Sequence, residues 1–156
     1  DLNFDIQEKY KLILIGKGPC EKELKQFVSD NNLINKVLFP GYVNQVELSK
    51  LYANCDIYVS TSLSDAGIAA STAEAMASGA ISLITDVREN KIWVNNKENN
   101  GALFKPSNHK ELTRKISKIL NLPKKDKETM KKNARKKILN ECNISKEMIK
   151  FSKFLK

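Results

Sequence analysis

Short apolar runs alternate along this chain with segments whose apolar residues recur every three or four positions, the spacing of helices with one buried face. Lys11-Leu-Ile-Leu-Ile-Gly16 is an apolar run ending in glycine and reads as a buried parallel strand. After the sharp turn Gly16-Lys17-Gly18-Pro19, the spacing predicts a helix from Glu21 to Asp30 with Leu24, Phe27 and Val28 on one face. Lys36-Val-Leu-Phe39, closed by Pro40-Gly41, is a second strand. A short helix from Val46 to Asn54 turns Leu48 and Leu51-Tyr52 inward, and Asp56-Ile-Tyr-Val-Ser60 is a third strand. The loop from Thr61 to Ile68 leads into an alanine-rich helix from about Ala70 to Ser78, which Gly79 stops. Ile81-Ser-Leu-Ile-Thr85 is a fourth strand and Ala102-Leu-Phe104 a short fifth.

His109 to Leu120 is amphipathic through Leu112, Ile116, Ile119 and Leu120, and Pro123 breaks it. Two Lys-rich helical stretches follow, at about 126–141 and 145–155, with Met130, Ala134, Ile138, Met148, Ile149 and Leu155 as their apolar positions. Strands alternating with helices of this length predict an α/β domain, a Rossmann-like parallel sheet flanked by helices. The expected organisation is a Rossmann-like domain over residues 1–122, with C-terminal helices over 123–156 packing on the same domain.

The length of 156 residues suits a single domain. No apolar run approaches the roughly 20 residues of a membrane span. The opening Asp-Leu-Asn-Phe-Asp has neither a starting Met nor a signal-peptide pattern, so the expectation is a piece of a longer chain. Cys20, Cys55 and Cys142 lie far apart without metal or redox spacing, and a reduced cytoplasmic setting is expected. The formal charge of +9 invites a nucleic-acid reading, yet 24 of the 27 basic residues are Lys. Arg88, Arg114 and Arg135 are the only bidentate readers of phosphate or base edges. Residues 1–104 carry 10 basic and 13 acidic groups, net −3, and residues 105–156 carry 17 and 5, net +12. The basicity belongs to the last third.

In open α/β sheets ligands bind outside the carboxyl ends of the strands, and three loops there look specialised. Gly16-Lys17-Gly18-Pro19 suits a close backbone approach to a ligand, or a plain strand–helix turn. Gly41-Tyr42-Val43 suits contact with a flat base edge, or again a simple turn. The stretch from Ser62 to Gly79 says most. Its helix opens on Ala69, Ala70, Ser71 and Thr72, so nothing bulky shields the free N–H groups of the first turn, an anion-binding arrangement. Glu74 lies about one turn in. The competing structural readings are a capping box, Ser71-Thr-Ala-Glu74, and an Asx-turn at Asp65.

Together these segments resemble the nucleotide-sugar-binding C-terminal domain of GT-B glycosyltransferases, specifically glycosyltransferase family 4. The likeness runs in order through Leu12 to Pro19, Val37 to Val43, Leu51 to Val59, Ser62 to Gly79, Ile84-Thr-Asp86 and Asn100 to Pro106, with Glu74-Ala-Met-Ala-Ser-Gly79 the most diagnostic piece. The resemblance implies the donor-binding half of a retaining, metal-independent glycosyltransferase that uses a UDP-, GDP- or ADP-sugar. Glu74 matches the second glutamate of the family's E-x7-E motif, which holds the ribose hydroxyls. The backbone of Ile68, Ala69, Ala70 and Ser71, entered through Gly67, matches the segment that holds the donor diphosphate. Gly16, Lys17 and Gly18 match the turn facing the phosphates, Tyr42-Val43 the segment lining the base, and Leu48 joins that nucleotide-binding set.

Two departures stand out. The first glutamate of the motif falls on Ala66, and the adjacent Asp65 is the candidate to replace it, which makes Asp65 and Glu74 the candidate catalytic carboxylates. The family's basic residues for the diphosphate precede the strand at Lys11, and the acceptor domain with its His is also expected outside this sequence; His109 is no obvious substitute. The resemblance thus implies a chain that binds a donor but does not transfer it alone. Its expected partners are the donor, an N-terminal acceptor domain and, through the basic last third, an anionic membrane surface at the inner face, with no nucleic acid. Phe151 and Phe154 are expected exposed, facing that absent domain. Two other readings stand beside it: a nonhydrolysing sugar-nucleotide epimerase of GT-B architecture, and a basic module for nucleic acid or membrane.

Overall fold

A computed structural model of the chain describes residues 9–65 and 67–142. The chain divides between Leu48 and Ser49 into two compact units. Among the described residues five strands form parallel sheets flanked by helices, two strands in the first unit and three in the second, the α/β Rossmann-like class that the sequence predicts.

In the first unit, β1 (Leu12–Ile15) pairs in parallel with β2 (Val37–Gly41), and α1 (Glu21–Asp30) connects them. The register places Leu12 beside Val37 and Ile15 beside Gly41, with an irregularity between Ile13 and Ile15. Contrary to the expectation of a buried strand, Leu12, Ile13 and Ile15 are 50%, 39% and 41% exposed. An apolar run identifies an extended segment but carries no information about what covers it. The face predicted for α1 is likewise open: Val28 is buried, whereas Leu24 and Phe27 are exposed. Asn44 caps α2 (Gln45–Asn54) through its side chain. Glu47 N–H donates to Asn44 Oδ1 at 2.9 Å, and Asn44 N–H donates to Glu47 Oε2 at 3.3 Å, a reciprocal capping box.

The second unit is built on β3 (Ile57–Ser60), β4 (Ile81–Thr85) and β5 (Gly101–Phe104), all parallel and in that spatial order. Every residue of the central β4 is buried. Successive side chains of a strand point to opposite faces, so one run serves two cores. Ile84 joins Met76 of α3 (Ala70–Ser78), Val94, and Ala134 and Ile138 of α6 (Lys124–Glu141). Ile81 and Leu83 join Phe104, Met130 and Ile119 of α5 (His109–Leu120). A short helix, α4 (Asn90–Trp93), which the hydrophobic pattern does not announce, links β4 to β5.

The first Lys-rich stretch is α6, and Met130, Ala134 and Ile138 are its buried stripe as expected. The second stretch, with Met148, Ile149, Phe151, Phe154 and Leu155, lies outside the described residues, as does Ala66. Among the described residues no helix is long and apolar enough to cross a membrane.

Candidate functional site

The loop after β3 and the first turn of α3 hold most of the residues singled out by sequence. Ala69 is the N-cap, with extended backbone (φ −62°, ψ 137°), and no side chain caps the helix. Ala73 N–H is bonded to Ala69 C=O at 3.0 Å, so the N–H groups of Ala70, Ser71 and Thr72 precede the first intrahelical donor. The N-cap therefore lies two residues before Ser71, which is already inside the first turn. That places Glu74 beyond the reach of an N-cap, and the capping box suggested for Ser71 and Glu74 does not form; the box belongs to Asn44 and Glu47 instead. At the other end Gly79 adopts the left-handed conformation (φ 87°), and Gly79 N–H and Ala80 N–H close on Met76 C=O and Ala75 C=O. This is a Schellman motif, and it fixes α3 between two well-defined ends.

Around this turn the side chains sort by function. Ile68 packs into the core beside Met76, leaving its backbone at the loop. Gly67 has φ 76°, which lets the chain bend between Asp65 and Ile68. Ser71 is exposed, and Tyr58 donates to its Oγ at 2.8 Å. Tyr58 in turn stacks edge-on against Tyr52 at 5.8 Å between ring centroids. Burial pushes the Tyr52 phenol up to about 12, and the nearby Tyr58, Glu74 and Cys55 add to the shift. Glu74 itself is half-buried, near enough to Tyr52 to contribute to its shift.

Asp65 is held from the next loop. Asn90, at the start of α4, donates from Nδ2 to Asp65 Oδ2 at 3.0 Å and to Thr85 C=O at 3.0 Å. Thr85 Oγ1 donates to Ser62 C=O, fastening the same loop a second time. Nothing in the sequence marked Asn90 or Tyr58. Each is one polar residue among many: Tyr58 acquires its role when α3 folds back beside β3, and Asn90 when the β3 and β4 loops come side by side.

In the first unit, Gly16 (φ 106°) donates its N–H to Gly41 C=O at 2.8 Å, and Gly41 (φ 73°) is buried. Gly18 has no positive φ and open space beside it, so the conformational argument holds for Gly16 alone. Lys17 extends over the Tyr42 ring at 6.0 Å, and its stem lies 3.4 Å from the point where a Gly41 Cβ would sit. Tyr42 is 77% exposed, a flat face open to solvent, while Val43 and Leu48 are half-buried. His109 is exposed at the start of α5. Among the described residues no group of His, Cys, Asp or Glu has the arrangement of a metal site, and Cys20 and Cys55 are outside any disulfide.

The family model described as "Glycosyl transferases group 1" matches residues 2–137. No match was found among curated protein sequences. Sucrose-phosphate synthase from Thermosynechococcus elongatus superimposes with a TM-score of 0.80 at 23% identity, over 93% of this chain and 37% of that one. HepE from Anabaena, solved with UDP, gives 0.81 at 22% identity, over 94% and 40%. The catalytic domain of cholesterol-α-glucosyltransferase from Helicobacter pylori gives 0.73 at 29% identity, over 85% and 80%. The chain thus spans well under half the length of the first two proteins.

Proposed function

The chain belongs to the glycosyl transferases group 1 family, and from that premise we propose that it is the donor-binding half of a retaining glycosyltransferase acting in glycan or surface-polysaccharide assembly. The observation that carries the reading is the uncapped N-terminus of α3, preceded by small residues and followed one turn later by Glu74. Three N–H groups and the positive end of the helix dipole suit a diphosphate. HepE, a structural relative, has been solved with UDP and with UDP-glucose.

In this reading the N–H groups of Ala70, Ser71 and Thr72 stabilise the charge that gathers on the diphosphate as the glycosidic bond breaks. Fixed dipoles of this kind need no reorganisation during the step. Glu74 takes the ribose hydroxyls and Asp65 the sugar. The diphosphate contacts are backbone groups, and the reading requires no metal. By family likeness, Gly16, Lys17 and Gly18 serve the phosphates, and Tyr42, Val43 and Leu48 the base. The acceptor is bound by a further domain, and the basic face of α6 brings the enzyme to an anionic membrane at the cytoplasmic side.

Titration of the 156-residue chain with UDP, GDP and ADP tests the reading. One of them should bind saturably, and Glu74→Ala should weaken that binding about tenfold, the loss of one or two hydrogen bonds to a charged group. If none of the three binds, the reading fails.

A further inference from the structure

We propose that Asn90 is a positioning residue that aims the Asp65 carboxylate at the sugar of the donor, an inference that rests on the donor-binding reading. Asn90 is 1% exposed, and its amide spends both hydrogens on oxygen acceptors: Asp65 Oδ2 at 3.0 Å and Thr85 C=O at 3.0 Å. Those two acceptors decide which way the amide faces. Turned over, its own oxygen would meet a carboxylate and a carbonyl, with no proton between them.

The chemistry of the choice matters. A Lys or Arg at this position would hold Asp65 equally well, but as an ion pair that neutralises it. An amide fixes one carboxylate oxygen and leaves the group its charge, which suits an acceptor of sugar hydroxyl protons or a neighbour of developing positive charge. Thr85 supports the same geometry: its Oγ1 donates to Ser62 C=O, and its own C=O takes the second Asn90 hydrogen. The segment from Ser62 to Asp65 is therefore tied at both ends to the end of β4 and the start of α4. Gly67, with φ 76°, then turns the chain into α3.

The test compares affinities for the nucleoside diphosphate that binds and for sugars attached to it, in wild type, Asn90→Ala, Asp65→Ala and the double variant. The quantity read is the increment that the sugar adds. Asn90→Ala should lose about tenfold of that increment, the worth of a charge-assisted hydrogen bond, while the bare nucleotide binds within about twofold of wild type. The double variant should lose no more than Asp65→Ala, because one residue acts through the other. Should Asn90→Ala fail to fold, Asn90→Ser keeps a polar group near Thr85 C=O but is too short to reach Asp65, and the same loss is expected.

An unchanged increment overturns the inference. So does an equal weakening of nucleotide and nucleotide-sugar, which marks a purely structural role, and so do independent, additive losses in the double variant. A wild-type chain that binds no nucleotide overturns the donor-binding reading itself, and that outcome is distinct from all of these.

Discussion

Tyr58 donates its hydroxyl proton to Ser71 Oγ across 2.8 Å, so the exposed hydroxyl in the first turn of α3 keeps its own proton for another acceptor. The tyrosine orients the serine without consuming its donor. Tyr58→Phe should therefore lower affinity for the nucleoside diphosphate by a few-fold, with a stability cost of about 0.5–1.5 kcal/mol for one neutral hydrogen bond. Calorimetric titration beside a thermal melt separates the two effects. A melt shift with unchanged affinity would make the contact structural only.

Tyr52, beneath that pair, gives a pH signature. Its folded-state value is raised to about 12 from the ordinary 10, chiefly by burial. The folded protein thus favours the protonated phenol, and the associated stability is present in full below pH 10. It is lost as pH rises from 10 towards 12. At 1.36 kcal/mol per unit, the loss is about 1–3 kcal/mol. Tyr52→Phe should flatten the alkaline limb of a stability–pH curve; an unchanged limb would show that another group sets it.

Glu98 and Lys137 tie the loop before β5 to α6 at 2.9 Å, and Lys137 also meets Glu141 at 2.9 Å. Hydrogen bonding from Lys137 holds Glu98 below the ordinary carboxylate value. A lowered carboxylate contributes stability that is present above its unfolded value and lost as pH falls through the folded one. Glu98 is 41% exposed, so solvent screens the pair, and Glu98→Gln should cost under about 1 kcal/mol at neutral pH. The difference from wild type should vanish in acid, below the folded value, and shrink with added salt.

Gly101 sits opposite Ser82 in the β4–β5 register, and a Cβ there would lie 2.4 Å from Ser82 C=O and 2.9 Å from Val94 Cγ1. One of those neighbours is backbone of the central strand and has nowhere to go. Gly101→Ala should cost at least about 1–3 kcal/mol, the usual penalty of overpacking, and Gly18→Ala, in open space at ordinary φ, under about 0.5 kcal/mol. Equal melting temperatures for the two variants would contradict the register.

Much of this architecture was legible because local chemistry and tertiary packing agree. Gly79 ends α3 where a left-handed residue is needed, and α1, α3, β4 and α5 occupy the predicted spans. The pattern failed where packing alone decides. Leu12 and Ile13 form an apolar run whether or not anything covers them, and Leu24 and Phe27 share a helix face that stays open. The capping-box spacing occurs at Ser71 and Glu74 and again at Asn44 and Glu47, and the second forms one, because α2 starts at Gln45, just after Asn44, while α3 starts at Ala70, one residue before Ser71. The loop from Ser62 to Ile68 was legible as specialised from its small residues. Asn90 was not, since only the folded β4 end brings it to Asp65.

The basic last third remains to be assigned, and α6 narrows what it can do. Its apolar stripe of Met130, Ala134 and Ile138 is committed to the core, so this helix has no free apolar face to insert into a bilayer. Its exposed residues include Lys124, Lys125, Lys132, Arg135 and Lys136 beside Asp126, Glu128 and Glu141, with Leu139 its single exposed large apolar side chain. Attraction to an anionic surface is then chiefly electrostatic, at about 1 kcal/mol for each basic residue near the headgroups less what the acidic neighbours take back, and it should fade within the Debye length of ~8 Å at physiological salt. The chain should co-sediment with vesicles containing phosphatidylserine and not with neutral phosphatidylcholine vesicles, and raising the salt should release it. Changing Lys124, Lys125, Lys132 and Lys136 to Gln should abolish sedimentation while leaving nucleotide affinity unaltered, since none of the four belongs to the donor site. Retention by neutral vesicles, or by anionic vesicles after those four substitutions, would remove α6 from the membrane contact. Tighter binding to RNA than to the vesicles, lost in the same variant, would assign the basic face to nucleic acid instead.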